Sequence, residues 1–211
     1  MSQKKEASLL RLVVVLTCIA LVAGMALTGV YALTKDRIEA AQKAKKEMAL
    51  NLVLPDFKGT LKDTTITPDG EDDPVLAHIA LNDDGSLFGL AVETFTKKAF
   101  DGRFDLMVGF DADGSIINTE VIDASETPGL GDKINKDKSN FAKQFNGQDP
   151  ATYKLSVKKD GGDVDAITAA TISSRAVTRA VNAARAYWAM RLSPKPRESA
   201  GLLDALTGAS Q

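Results

Sequence analysis

Two stretches decide the fold: VLAHIALNDDGSLFGLAVETF at residues 75–95 and FDLMVGFDADGSIINTEVI at residues 104–122. Each has an apolar run, a four-residue Asp-rich turn closing on glycine, and a second apolar run. Gly85 and Gly114 supply the positive φ that tight hairpins need, and strands joined this closely must be antiparallel. Strands are therefore predicted at 75–81, 87–95, 104–110 and 115–122. Asp111-Ala112-Asp113-Gly114 faintly resembles a calcium loop. A twelve-residue calcium loop needs glycine at its sixth position and a carboxylate at its twelfth, where Ile116 and Ile122 stand, so the segment reads as a turn.

Beyond the hairpins, a short helix is predicted at 139–145, closed by Asn146-Gly147, and a further strand at 153–157. The final helix is predicted at 172–191, where Val177, Val181, Ala184 and Trp188 make one apolar stripe. Arg175, Arg179 and Asn182 fall on another side. Pro194 and Pro196 end the helix, and the tail at 193–211 is expected to be poorly ordered. On the N-terminal side, residues 60–74 are polar, carry Pro68, Gly70 and an acidic cluster, and read as a loop. The class is α+β.

Residues 12–33 contain no charged side chain. As a helix this run reaches roughly 33 Å, enough to cross a bilayer. Lys4, Lys5 and Arg11 precede it against Glu6 alone, which places the preceding residues in the cytoplasm and the rest outside. A signal peptide cleaved near Val30-Tyr31-Ala32 fits less well, because signal h-regions are shorter. Cys18 lies inside the apolar run, a poor lipoprotein site. Residues 34–55, rich in Ala, Lys and Glu, continue as a stalk helix. The division is thus 1–11 cytoplasmic, 12–33 transmembrane, 34–55 stalk, 56–192 exported domain and 193–211 tail, in a single-pass protein of the inner (plasma) membrane.

Composition removes several classes of function. With 26 Lys+Arg against 28 Asp+Glu and a net charge of −2, there is no basic excess for nucleic acid. One Cys and one His, Cys18 and His78, exclude an intramolecular disulfide, a thiolate metal site and a multi-histidine site. No GxSxG elbow supports a serine triad. No CxxC iron–sulfur pattern or GxGxxG is present either.

Chemistry concentrates in Asp165-Ala166-Ile167-Thr168-Ala169-Ala170-Thr171-Ile172-Ser173-Ser174, at the mouth of the final helix. A helix start offers unpaired N–H groups and the positive end of the macrodipole, which suit a phosphate. Ala169 and Ala170 are small enough for close approach, and Arg175, four residues past Thr171, falls on the same face. From the residues alone, simple capping of the helix by Ser and Thr is the better reading.

The string Asp165-x-x-Thr168-Ala169-Ala170-Thr171-x-Ser173-Ser174 resembles the flavinylation motif of the covalent FMN-binding domain family. A second string, Glu126-Thr127-Pro128-Gly129-Leu130-Gly131-Asp132-Lys133, resembles that family's ETPGLG segment, and Phe100-Asp101-Gly102-Arg103-Phe104 its lead-in. Alone, Pro128-Gly129 has type II turn chemistry. The resemblance implies FMN esterified to Thr171 by a separate flavin transferase, with the ETPGLG loop beside the isoalloxazine. The chain departs from the pattern at Ala169, where glycine is usual and positive φ is easier, and at Ala124-Ser125, where a His often stands. Glu126 would then accept a hydrogen bond from the flavin or its neighbours, or hold its own loop's N–H groups.

In length and order the chain is most similar to family members that serve as the RnfG component of Rnf electron transport complexes. That implies an electron-transfer component, not catalytic alone, assembled with other Rnf subunits in a ferredoxin:NAD oxidoreductase coupled to ion translocation. The related flavin-bearing component of the sodium-pumping NADH:quinone reductase, which usually has a longer insertion before its flavin domain, is the alternative within redox chemistry. A membrane-tethered binding module without flavin is the alternative from another class.

Overall fold

The computed structural model describes residues 3–66 and 75–192. The chain divides into two compact units, residues 1–47 and 48–211. Pro68, Gly70 and their acidic neighbours, and the tail from residue 193, lie outside the described residues.

The first helix, α1, runs from Gln3 to Val53, so the predicted span and stalk form one element. It is long and apolar enough to cross a membrane, and none of its most apolar stretch is buried. Within that stretch, Thr28 donates its hydroxyl proton to the Gly24 carbonyl at 2.8 Å, so the apolar run contains a hydroxyl already satisfied by its own helix.

In the second unit, five strands form one antiparallel sheet in sequence order: β1 (Thr60–Ile66), β2 (Val75–Leu81), β3 (Leu87–Ala99), β4 (Gly102–Asp111) and β5 (Ile116–Ala124). Both predicted hairpins are present. Gly85 sits at φ +81° and Gly114 at φ +94°. The Asp111 carboxylate accepts from the N–H groups of Asp113 and Ser115 at 3.0 and 2.8 Å, which makes 111–114 a self-capped turn.

β1 corrects the loop reading for residues 60–66; the rest of that stretch, 67–74, lies outside the described residues. The strand pairs with β2 from Thr60↔Leu81 to Ile66↔Val75. As an edge strand it buries little, so it can be polar and charged while its β-branched Thr64, Thr65 and Ile66 keep strand propensity. Apolar alternation was never required of it.

Leu90, Val92, Leu106, Val108 and Phe110 form one side of the main core, against Val177, Ala180, Val181 and Ala184 of the final helix, α2 (Thr171–Leu192). The predicted stripe is thus the buried face. Its last member, Trp188, lies over Gly114, where a Cβ would come 2.7 Å from the indole ring. A smaller cluster joins Ala80, Ala91 and Met107 to Ala49, Val53 and Leu54 at the end of α1. Gly109 permits that contact, since a Cβ there would stand 2.1 Å from the Val53 carbonyl oxygen. Asn118 donates to the Leu52 carbonyl at 2.7 Å, satisfying an acceptor that the helix end leaves open.

Two further predictions need correction. The short helix expected at 139–145 is a 3-10 helix, Phe141–Phe145. The Ser139 hydroxyl accepts the Phe141 N–H at 3.0 Å and fixes where that turn begins. The strand expected at 153–157 is absent, and only an isolated bridge joins Val157 to Val164. Its backbone is satisfied locally instead: Asp163 accepts the Lys154 N–H at 2.7 Å and the Lys154 carbonyl accepts from Ser156, also at 2.7 Å.

Candidate functional site

α2 begins at Thr171, one residue earlier than the sequence suggested. Its first ladder bond runs from the Ser174 N–H to the Ala170 carbonyl at 3.0 Å. The N–H groups of Thr171, Ile172 and Ser173 stand ahead of that ladder, at the positive end of a 22-residue helix.

The loop entering the helix is tightly folded. The Ala170 N–H donates to the Ile167 carbonyl at 3.0 Å, closing a turn whose third residue, Ala169, has φ +63°. This left-handed conformation is the one glycine adopts freely and alanine resists. Ser174, fully buried, accepts the Ile167 N–H at 2.9 Å and donates to the Ala170 carbonyl at 3.0 Å. One hydroxyl thereby ties the helix's first turn back to its own entry loop.

The facing wall is the 126–131 loop. The Leu130 N–H donates to the Thr127 carbonyl at 3.1 Å and Gly129 has φ +77°, the turn that Pro128-Gly129 predicts. Glu126 joins the two walls. One carboxylate oxygen accepts the Ser173 hydroxyl at 2.8 Å, and the other accepts the Phe100 N–H at 3.4 Å. The carboxylate thus ties the loop to the start of α2 and to the β3–β4 hairpin, rather than to its own loop's N–H groups. Gly131 allows it, because a Cβ there would lie 2.2 Å from the carboxylate and 2.7 Å from the Ser173 hydroxyl.

Between these walls lies a cleft of about 250 Å³ lined by Glu126, Thr127, Leu130 and Gly131 on one side, by 169–173 on the other, and by Phe100. Gly131 and Thr171, 40 residues apart in the sequence, thus meet across it. Thr171 is half-buried there, while Phe100, Leu130 and Ile172 are exposed at 63%, 42% and 48%.

Not every expected residue reaches the cleft. Pro128 and Gly129 shape the turn without lining it, and Ser174 is committed to the loop. Asp165 and Thr168 line a second cleft of about 470 Å³, with Lys133 and Gln144 among its other walls. The Asp165 carboxylate pairs with Lys158 at 2.7 Å, an exposed contact that raises the lysine's pKa. Arg175 forms a two-pronged pair with Asp160, both bonds 2.7 Å, and the guanidinium holds that carboxyl below its usual range. It is therefore engaged away from Thr171. Ile172 and Phe100 are the lining residues that sequence reasoning did not single out as site residues; the only signal was the 100–104 string.

The FMN-binding domain family matches residues 100–186, which includes both walls of the cleft. The RnfG N-terminal region matches residues 1–53. The G component of an ion-translocating oxidoreductase complex from Haemophilus influenzae (strain 86-028NP) is 36% identical over 170 residues, covering 78% of this chain and 82% of the relative. Its counterpart from Shewanella loihica is 35% identical over 194 residues, covering 87% of this chain and 88% of the relative. The chain belongs to the RnfG family of ion-translocating oxidoreductase complexes.

Within this RnfG-family chain, the FMN-binding match runs from the β3–β4 hairpin at Phe100 into the last turns of α2, so the cleft lies wholly inside it. A crystal structure of Shewanella oneidensis NqrC aligns with TM-score 0.42 and 21% identity over 59% of this chain and 63% of that chain, too loose a likeness to argue from.

Proposed function

We propose that this chain is a membrane-anchored electron-transfer component of an Rnf-type ferredoxin:NAD oxidoreductase coupled to ion translocation, carrying FMN as a phosphoester on Thr171. The observation that carries this reading is the position of Thr171. It stands at the first position of α2, beside the N–H groups the helix leaves unpaired, in a cleft lined by both motif strings.

The residues present fit the group. The unpaired N–H groups of Thr171, Ile172 and Ser173 suit a phosphate. Ala169, Ala170 and Gly131 keep the walls short, so a chain attached at Thr171 can lie close to the backbone. The cleft is smaller than the roughly 300–1,000 Å³ common for enclosed ligands, so it suits the phosphate and part of the attached chain. The exposed apolar surface of Phe100, Leu130 and Ile172 is available to the rest. Bound FMN would supply one- and two-electron transfer, linking metal-centre carriers to two-electron couples. The protein's own work is to fix the attachment point and retain the cofactor: an ester bond prevents loss by dilution outside the cytoplasm.

Attachment requires a separate flavin transferase, and the other Rnf subunits are the partners for electron exchange. Lys4, Lys5 and Arg11 favour a cytoplasmic side for the residues before the span and an extracytoplasmic flavin domain. A reporter active only outside the cytoplasm, fused after Gln211, should work, and an inactive fusion at normal protein levels would reverse the orientation.

Co-expression with a flavin transferase should give a fluorescent band at this chain's mass on a denaturing gel. Thr171→Ala should abolish the band, whereas Thr168→Ala should retain it. Fluorescence surviving Thr171→Ala would overturn the assignment.

A further inference from the structure

We propose that Gln144 is a positioning residue for the acceptor threonine: its side-chain amide clamps the backbone of Asp165 and so holds the entry loop 165–170 in the conformation that presents Thr171. The inference rests on Thr171 being the acceptor, and it adds a residue from neither motif string.

The Gln144 carbonyl oxygen accepts the Asp165 N–H at 2.8 Å, while its amide nitrogen donates to the Asp165 carbonyl at 3.1 Å and the Phe141 carbonyl at 2.9 Å. This pattern admits one orientation of the amide. Turned over, it would set oxygen against two carbonyls and a donor against an N–H. Gln144 is half-buried in the 3-10 helix Phe141–Phe145, whose Phe141, Ala142 and Phe145 are anchored in the core. The clamp therefore fastens the loop to a rigid element.

The loop needs fastening. It contains Ala169 at φ +63°, a conformation that alanine leaves readily when nothing holds it. Its C-terminal end is held by the buried Ser174 hydroxyl on the Ile167 N–H. Before the loop, buried Val164 is fixed by backbone bonds to Ser156 and Lys158 at 3.0 and 2.8 Å, while Asp165 itself is held by Gln144 and by the exposed Lys158 pair alone among the described contacts. Exposed ion pairs contribute little, which leaves the amide clamp as the stronger tie. Two of the three backbone-directed bonds of Gln144 meet Asp165, six residues before Thr171.

In the transfer, the Thr171 Oγ–P bond forms as a flavin dinucleotide donor loses its P–O bond to the nucleotide leaving group. The hydroxyl proton passes to a base of the transferase or to water, and no electron is exchanged. Gln144 touches none of these atoms. Its contribution is to the fraction of chains whose loop is already in the competent shape. When that fraction falls, the apparent KM rises in proportion while kcat at saturation is kept.

The test uses the full-length chain in detergent with purified flavin transferase and a flavin dinucleotide donor, following in-gel fluorescence against time and acceptor concentration. Gln144→Glu keeps the side chain's shape but sets a carboxylate oxygen against two carbonyls; Gln144→Met removes all three bonds. For the loss of two or three such bonds, KM for the acceptor chain should rise at least about fivefold with kcat within about twofold. Asn182→Ala, which removes an α2 side chain's bond to the Leu155 carbonyl at 2.5 Å, serves as the control for a general loss of stability. Hydrogen exchange of the flavin-free chain gives a second reading: the amides of 165–170 should lose protection in both Gln144 variants and keep it in Asn182→Ala. An unchanged KM in both Gln144 variants, or an equal rise in the control, would overturn the proposal. If the wild-type chain accepts no flavin, the Thr171 reading falls. Hydrogen exchange then decides the clamp by itself, and unchanged protection in the Gln144 variants refutes it.

Discussion

Replacing Ala169 by glycine should stabilise the protein, although the change deletes a methyl group and loosens the unfolded chain. Ala169 has φ +63° and an exposed side chain, so its methyl contributes no core packing. An L-residue in the left-handed region costs roughly 1–2 kcal/mol. Glycine removes that cost but adds back roughly 0.5–1 kcal/mol of conformational entropy. The difference favours glycine by about 0.5–1 kcal/mol, or roughly 2–4 °C in Tm for a domain of this size. Ala169→Val reverses the sign, because a β-branched side chain at positive φ is worse than alanine. Thermal unfolding of the detergent-solubilised full chain, followed by circular dichroism at fixed protein concentration, reads both. Glycine lowering Tm, or valine leaving it unchanged, would refute the idea that the loop before Thr171 is held under backbone strain.

Gly131→Ala should destabilise by about 0.5–1.5 kcal/mol, the net worth of one hydrogen bond, since its Cβ would fall 2.2 Å from the Glu126 carboxylate and push that side chain off Ser173. A denaturant midpoint shifted down at constant m value would record it, and an unchanged midpoint would show that the two walls yield freely. His78 predicts a pH dependence. Glu93, 3.6 Å from Nε2, and Asp63, 2.7 Å from Nδ1, raise the imidazole pKa above its ordinary 6.5 against the opposing effect of burial. Glu93 has the larger influence at the longer distance because only 14% of its side chain is exposed, against 63% for Asp63, so water screens it less. The folded state therefore binds the proton more tightly than the unfolded one. The stability this contributes is complete below the unfolded pKa and is lost as pH rises through the folded value. Tm should fall across that interval on the alkaline side of 6.5, and His78→Gln should flatten the fall; an equally steep fall in the variant would exclude His78 as its source.

The hairpins were legible in the sequence because local chemistry and packing agreed there. Asp-rich turns closing on Gly85 and Gly114 join apolar strands whose central residues are buried on both faces, Leu90, Val92, Leu106 and Val108 on one and Ala91 and Met107 on the other. β1 was not legible: it is an edge strand whose partner was itself predicted, but its own residues are polar, and pairing to β2 is a tertiary fact. The stretch 153–157 failed in the opposite direction. Tyr153, Leu155 and Val157 alternate like a strand, yet local bonds to Asp163 and Lys154 satisfy the backbone without a ladder.

At the site, the two motif strings named most of the residues around the cleft. Spacing could not say which of them face it. Thr168 and Thr171 are three residues apart, and the positive φ at Ala169 between them sends them to different clefts. Ser173 and Ser174 are adjacent, yet one bonds Glu126 across the cleft and the other its own entry loop. Gln144 carried no signal at all. A glutamine in a polar stretch is unremarkable until the backbone of Asp165 is brought against it.

Peptide mapping of the purified, transferase-treated chain tests the central claim most directly. Cleavage after Lys159 and Arg175 releases DGGDVDAITAATISSR, residues 160–175, which contains Thr168, Thr171, Ser173 and Ser174 as possible acceptors. This peptide should be heavier by FMN less one water, and fragment ions should place the added mass on Thr171. The added mass on another hydroxyl, or an unmodified peptide from a chain that nevertheless retains flavin on a denaturing gel, would contradict the account.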